Sequence, residues 1–331
     1  MIEDTLDRVQ RAFLHGRHRP PSNAYAAPGK IFAAQFKDEV SCKLQAREIA
    51  AVEGFWQRQG RGLSAAKKGD LEQSQREFRA ASTDLEESEL SEQAILLVRT
   101  LLDPAQAYYH YLLQDYGRAR ELVLSAAATN HRLVEDFGVA IISAQRMQLC
   151  HNILRITTRE GRREETVRLA AGYLNYLEHN RVPLPGIINW AHIVRDFPDS
   201  IVQFYFDQVC GEAALAMAGS YDCRAFSALL DHVDAAHCSA SFSSHGHSWI
   251  TITRCKFSEQ IEEYLDRVCA LLELGKTAEP SIWLASVFDV AAVCRELGSR
   301  GRQVADRIYR EMESLPDARW IFQDLVLDEA R

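Results

Sequence analysis

Apolar residues recur at three- and four-residue steps along nearly the whole chain, for example Ile95, Val98, Leu101 and Leu102, or Ile261, Leu265, Val268, Leu271 and Leu272. That period gives each segment one apolar stripe of a helix, whereas a half-buried strand needs an alternation of two. Such alternation is almost absent. Ile250-Thr251-Ile252-Thr253 is the one β-branched alternating run, which makes Trp249 to Thr253 the only candidate strand inside an expected helix. Nine Pro and 17 Gly in 331 residues are too few for a collagenous, linker-rich or many-turned all-β chain. The expected class is all-α.

Turn residues divide the pattern. Gly69-Asp70, Gly161-Arg162, Gly219-Ser220, Gly275-Lys276 and Gly298 to Gly301 each follow a periodic run, where a helix end calls for left-handed backbone. Asp103-Pro104 and Glu279-Pro280 read as helix starts with Asp103 as a cap, while Pro104 also fits inside one longer, kinked helix. Helices are expected near 2–14, 38–68, 71–86, 89–102, 104–114, 116–129, 132–160, 162–180, 187–197, 199–218, 221–237, 250–274, 281–298, 301–314 and 317–327. His15 to Lys30, Asn180 to Gly186 and the serine-rich Ser239 to Ser248 are expected to be irregular.

Charge and cysteine usage narrow the function classes. Thirty-eight Lys and Arg against 46 Asp and Glu leave a net charge of -8, so no overall field attracts polyanions and direct DNA binding is not expected. Met1 to Asp7 carries acids where an export signal would be basic. The most apolar stretches, Gly138 to Ala144 and Ser281 to Phe288, fall far short of the roughly 20 residues of a membrane helix. Cysteines 42, 150, 210, 223, 238, 255, 269 and 294 show no paired spacing. These features predict a cytoplasmic protein with reduced thiols and no membrane partner.

The arrangement of small and aromatic residues adds an architecture. After the Gly69-Asp70 turn comes Ser74 five residues on, then Phe78, then Ala80 and Ala81, with Gly62 seven residues before the turn. A second copy runs through Gln114-Asp115-Tyr116 with Ala107 ahead of it and Ala119, Val123 and Ala126 behind. A third uses Gly161, Thr166 and Ala170, and a fourth keeps the Gly219-Ser220-Tyr221 turn. This pattern resembles the tetratricopeptide repeat (TPR), in which small residues let two antiparallel helices approach closely and an aromatic fills the groove to the next hairpin. The turns lie 45, 47 and 58 residues apart, against about 34 in a regular array. The resemblance implies a divergent TPR-like right-handed α-solenoid of antiparallel helical hairpins, with an irregular helical bundle as the alternative. On this reading residues 1–37 are an N-terminal helix and irregular arm. Residues 38–331 are the TPR-like domain, with a division near 180–186 or 239–248.

The same resemblance implies a concave groove, onto which Trp56, Gln59 and Lys67 of the first hairpin, Tyr108 and Tyr111 of the second, and His151 and Arg155 of the third would fall. Arg159 follows at one further four-residue step. Guanidinium forks take carboxylates bidentately and aromatic rings give rigid contact area, a mixture suited to a peptide or protein segment. The competing reading is a solvated face whose arginines pair with Glu160, Glu164 and Glu165. The leading expectation is thus a binding module acting as adaptor, regulator or carrier, with a peptide or protein partner and no cofactor.

A second cluster supports a different class. His232, His237, Cys238, His245, His247 and Cys255 are six ligand-type side chains within 24 residues, and three or four of them around Zn²⁺ would make a metal-dependent enzyme or biosynthetic accessory protein. Their spacing matches no zinc signature, and a Ser- and Gly-rich loop loses much entropy in converging on one ion, so no tightly held metal is expected. Walker A, G-x-G-x-x-G, H-E-x-x-H, G-x-S-x-G and C-x-x-C patterns are not found.

Overall fold

The computed structural model describes residues 2–19, 26–179, 199–219, 223–230, 245–275 and 279–314. Fourteen α-helices and no strand occur among them. Two compact units share the helices. One holds α2 (Ala26–Lys43), α3 (Ala46–Lys67), α4 (Leu71–Glu86), α5 (Glu92–Leu112), α6 (Tyr116–Glu135) and α7 (Ile142–Arg159). The other holds α1 (Ile2–Gly16), α8 (Arg163–His179), α9 (Asp199–Met217), α10 (Cys223–Leu230), α11 (His245–Phe257), α12 (Ile261–Leu274), α13 (Pro280–Glu296) and α14 (Gly298–Glu313).

In the α2–α7 unit, α3 packs on α4 and α5, α5 on α6, and α6 on α7. The turn from α3 to α4 shows how three residues reverse the chain. Gly69 takes φ +81°, Asp70 N–H donates back to the Ala65 carbonyl at 3.0 Å, and the Asp70 carboxylate then accepts the Gln73 N–H at 3.0 Å as the cap of α4. The α5 to α6 turn repeats this with Gln114 at φ +61°, Asp115 N–H on the His110 carbonyl at 2.9 Å, and the Asp115 carboxylate capping Arg118 N–H at 3.2 Å. Close approach of α3 and α4 depends on Gly62, where a Cβ would stand 2.7 Å from the buried Phe78 ring. Of the small positions of the first two hairpins, Ser74, Ala81, Ala107, Ala119, Val123 and Ala126 are buried and Ala80 is exposed.

In the other unit α13 is buried on nearly every face, from Ile282 to Cys294, and lies against α9, α12 and α14. A helix apolar all round belongs in a core. The amphipathic α1 lays Leu6, Val9 and Phe13 into this unit against α12 and α14. Its Gly16 crosses so near α12 that a Cβ would stand 1.8 Å from the Leu272 carbonyl oxygen.

Several boundaries differ from the sequence expectation, each for a physical reason. The expected helix 38–68 is two. α2 ends at Lys43, and α3 restarts after Gln45, whose N–H donates to Glu48 at 3.4 Å. Glu48 also takes the Ser91 N–H at 3.0 Å. Much of the expected irregular arm is α2. Helices 89–102 and 104–114 are the single α5 with Pro104 inside; Asp103 caps nothing, and burial pushes its carboxyl above the usual range while Ser125 donates to it at 2.9 Å. The expected 132–160 helix begins only at Ile142. Gly138 (φ +63°) ends the preceding helical turn, and the Ala140 and Ile141 N–H groups are capped by the Glu39 carboxylate of α2 at 2.8 and 3.0 Å. The expected 250–274 helix is α11 and α12, broken by a left-handed Glu259. Ile250 to Thr253 is helical, its threonine hydroxyls donating to the His247 and Trp249 carbonyls at 2.9 and 2.8 Å. Expected helices 187–197 and 317–327 lie outside the described residues.

A non-glycine residue in the left-handed region costs about 1–3 kcal/mol. Gln114→Gly is therefore expected to raise the stability of the protein by about 1 kcal/mol in urea unfolding. A loss of stability would contradict the turn assignment.

Candidate functional site

One cavity stands out in the α2–α7 unit. It has a volume of about 420 Å³ and is walled by Gln59, Leu63 and Lys67 of α3, by α5 from Leu101 to Tyr111, by Val123 of α6, and by Gln145, Gln148, Asn152, Arg155 and Ile156 of α7. The helices that line it are chiefly the alternate ones, because each three-residue turn returns the chain to the far side of its hairpin. Helical phase sets which side chains face in: Gln145, Gln148, Asn152 and Arg155 follow steps of three, four and three, one face of a 3.6-residue helix. Among the described residues, the polar groups facing the cavity are amides, phenols and two cations, Lys67 and Arg155, with no carboxylate.

Of the expected groove residues, Tyr108, Tyr111 and Arg155 line the cavity together with Gln59 and Lys67. The Tyr108 and Tyr111 rings stack with centroids 6.2 Å apart, and the Arg159 Nε–H donates to the Tyr111 hydroxyl at 2.7 Å, so Arg159 reaches the site through that phenol. Trp56 does not line the cavity. Its ring packs on Phe36 of α2 at 4.9 Å and its indole N–H points to the Leu97 carbonyl at 3.5 Å. His151 is buried, with Gln148 Nε2 3.5 Å from its Nδ1. Of the ion pairs that the solvated-face reading expects, Arg162 with Glu165 is present at 2.5 Å, while Glu160 bonds Arg120 of α6.

Sequence reading misses the amide wall. Gln148 Nε2 donates to the Asn152 side-chain carbonyl at 3.1 Å. Gln145 reaches behind the cavity surface: its Nε2 donates to the Thr100 carbonyl at 2.7 Å, and its Oε1 accepts from the Thr100 hydroxyl at 2.8 Å and from Asn130 Nδ2 at 3.4 Å. Thr100 and Asn130 are wholly buried and bonded to one another. The Arg146 guanidinium, also buried, donates to the Asn130 carbonyl at 3.3 Å.

His232, His237 and Cys238 lie outside the described residues. His245 and His247 open α11, where His245 Nδ1 is 3.9 Å from the Asp207 carboxylate, His247 Nε2 is 3.4 Å from Glu178, and the His247 ring stacks on Phe206 at 4.2 Å. Cys255 is a free thiol ten residues further along the same helix. Among the described residues no three His, Cys, Asp or Glu side chains come together as metal ligands. No described helix is long and apolar enough to cross a membrane.

Comparison with family models, curated proteins and solved structures finds no match to this chain.

Burial pushes the thiols of Cys150 and Cys210 far above their ordinary range and that of Cys294 up to about 12, so none of the three supplies a thiolate near neutral pH. Cys42 is exposed on α2. Thiol labelling of the native protein at about neutral pH, read by peptide mass spectrometry, is expected to modify Cys42 rapidly and to reach Cys150, Cys210 and Cys294 only on unfolding. Comparable rates at Cys294 and Cys42 would contradict this packing.

Proposed function

We propose that the chain is a TPR-like binding module whose α2–α7 unit holds a peptide segment bearing a carboxylate in the cavity between α3, α5 and α7. One observation carries the reading. Three helices, each separated from the next by one intervening helix, contribute two cations, a pair of stacked phenols and a wall of amides to one cavity, and no carboxylate is among its described lining residues. Two cations favour an anionic ligand there, and a guanidinium such as that of Arg155 takes a carboxylate through parallel N–H bonds. Leu63, Leu101, Pro104 and Ile156 add apolar surface for a side chain beside that charge. The buried small residues at Gly62, Ser74, Ala81, Ala107 and Ala119 support the TPR-like hairpin reading from which the groove follows.

The test is an array of synthetic peptides graded in Asp and Glu content, probed with the full chain. Acidic members should be retained, and Arg155→Ala should weaken a retained peptide about 10-fold or more, since a hydrogen bond to a charged group contributes about 1.5–3 kcal/mol. Arg155→Lys should restore only part, because an ammonium lacks the planar fork. Retention that ignores both charge and Arg155 would contradict the reading.

A further inference from the structure

We infer that Gln145 is the positioning residue of this cavity: it substitutes for a backbone hydrogen bond that Pro104 removes from α5, and thereby fixes the polar face of α7 against the phenols of α5. The inference rests on the binding reading for its consequence, and on backbone chemistry for its mechanism.

In an α-helix the N–H of residue 104 would donate to the carbonyl of residue 100. Residue 104 is proline, which has no N–H, so α5 runs through this point with the Thr100 carbonyl deprived of its helical donor. Thr100 is fully buried, and a buried carbonyl without a partner is costly. The donor comes from another helix. Gln145 Nε2 of α7 donates to that same carbonyl at 2.7 Å, and the Thr100 hydroxyl, whose one proton is shared between Asn130 Oδ1 and Gln145 Oε1, lies 2.8 Å from the latter. Asn130 of α6 adds a third anchor on Oε1. One side chain therefore bridges three helices at the level of Pro104, which itself lines the cavity.

The position along α7 gives the bridge its consequence. Gln148, Asn152 and Arg155 lie on the same helical face as Gln145, and Tyr108 and Tyr111 lie one and two turns beyond Pro104 on α5. Pinning Gln145 to Thr100 sets the register of these two rows. A proline in mid-helix and a glutamine 41 residues later are thus one device, and neither is explained without the other.

Two measurements on the full chain decide it. In thermal unfolding, Gln145→Met keeps the side-chain volume but removes the donor, and should lower the melting temperature by about 5 °C. In the Pro104→Ala background the backbone N–H restored at that position answers the Thr100 carbonyl, and the same change should cost less than half as much. A control cycle of Gln145→Met with Phe78→Leu, at the distant α3–α4 contact, should be additive. Additivity of the Gln145 and Pro104 changes would overturn the inference. The second measurement uses Thr100→Val, a buried isostere outside the cavity that removes the hydroxyl holding Gln145. Affinity for an acidic array peptide should fall about 10-fold for Thr100→Val and for Gln145→Met, and no further for the two combined. Unchanged affinity in Thr100→Val would overturn the positioning role, whereas an array that retains no acidic peptide would instead defeat the binding reading and leave the unfolding cycle to decide the tether.

Discussion

A single left-handed residue at the turn of each of the α3–α4 and α5–α6 hairpins is the constraint from which much of the α2–α7 unit follows. Once Gly69 or Gln114 takes positive φ, the next N–H turns back onto the preceding helix and the chain must reverse within three residues. Helices of 16 to 22 residues joined so tightly have no option but to lie antiparallel, and they bury their apolar stripes on one another. Asp70 and Asp115 make the reversal self-completing, since the residue that ends one helix motif also caps the next helix. Small residues then decide how near the partners come, as Gly62 does beneath the Phe78 ring.

Antiparallel pairing leaves the alternate helices α3, α5 and α7 to share a cavity, and the chemistry of that cavity is set by what those helices cannot satisfy internally. Pro104 opens a gap in the hydrogen-bond ladder of α5, and Gln145 fills it from α7. The buried Thr100 and Asn130, with the half-buried Gln145 that also lines the cavity, thus form a polar joint between the helices. The members of such a joint depend on one another, and a substitution at any one removes a partner from the others.

Much of this is legible in the sequence. The glycines at 69, 161, 219, 275 and 298 read as helix ends, and all take positive φ. Gln114 is signalled by the aspartate that follows it, whereas Glu259 has neither Gly nor Asp to mark it, so α11 and α12 read as one helix. Gln45 is a weak cap by type, which hides the start of α3. Tyr108, Tyr111, His151 and Arg155 are all placed in the expected groove by the repeat pattern, and of these His151 does not line the cavity. At about 100° per residue His151 lies about 40° to one side of Arg155 while Gln148 and Asn152 lie about 20° and 60° to the other, and it is their side that faces the cavity and leaves His151 in the core. Trp56 is misplaced by the sequence because its partner Phe36 stands on α2, a helix expected to be irregular over most of its length. The tie between Pro104 and Gln145 has no local signature, since it joins residues 41 apart across a hairpin.

If the binding reading holds, the alternate helices of the α2–α7 unit are the face that meets the ligand. Hydrogen–deuterium exchange of the full chain, with and without a saturating acidic peptide from the array, reads that face without altering a residue. Added protection is expected in fragments spanning 101–111 of α5 and 145–156 of α7, with α4 and α12 unchanged. Protection confined to α4, or to the unit built from α1 and α8–α14, would contradict it.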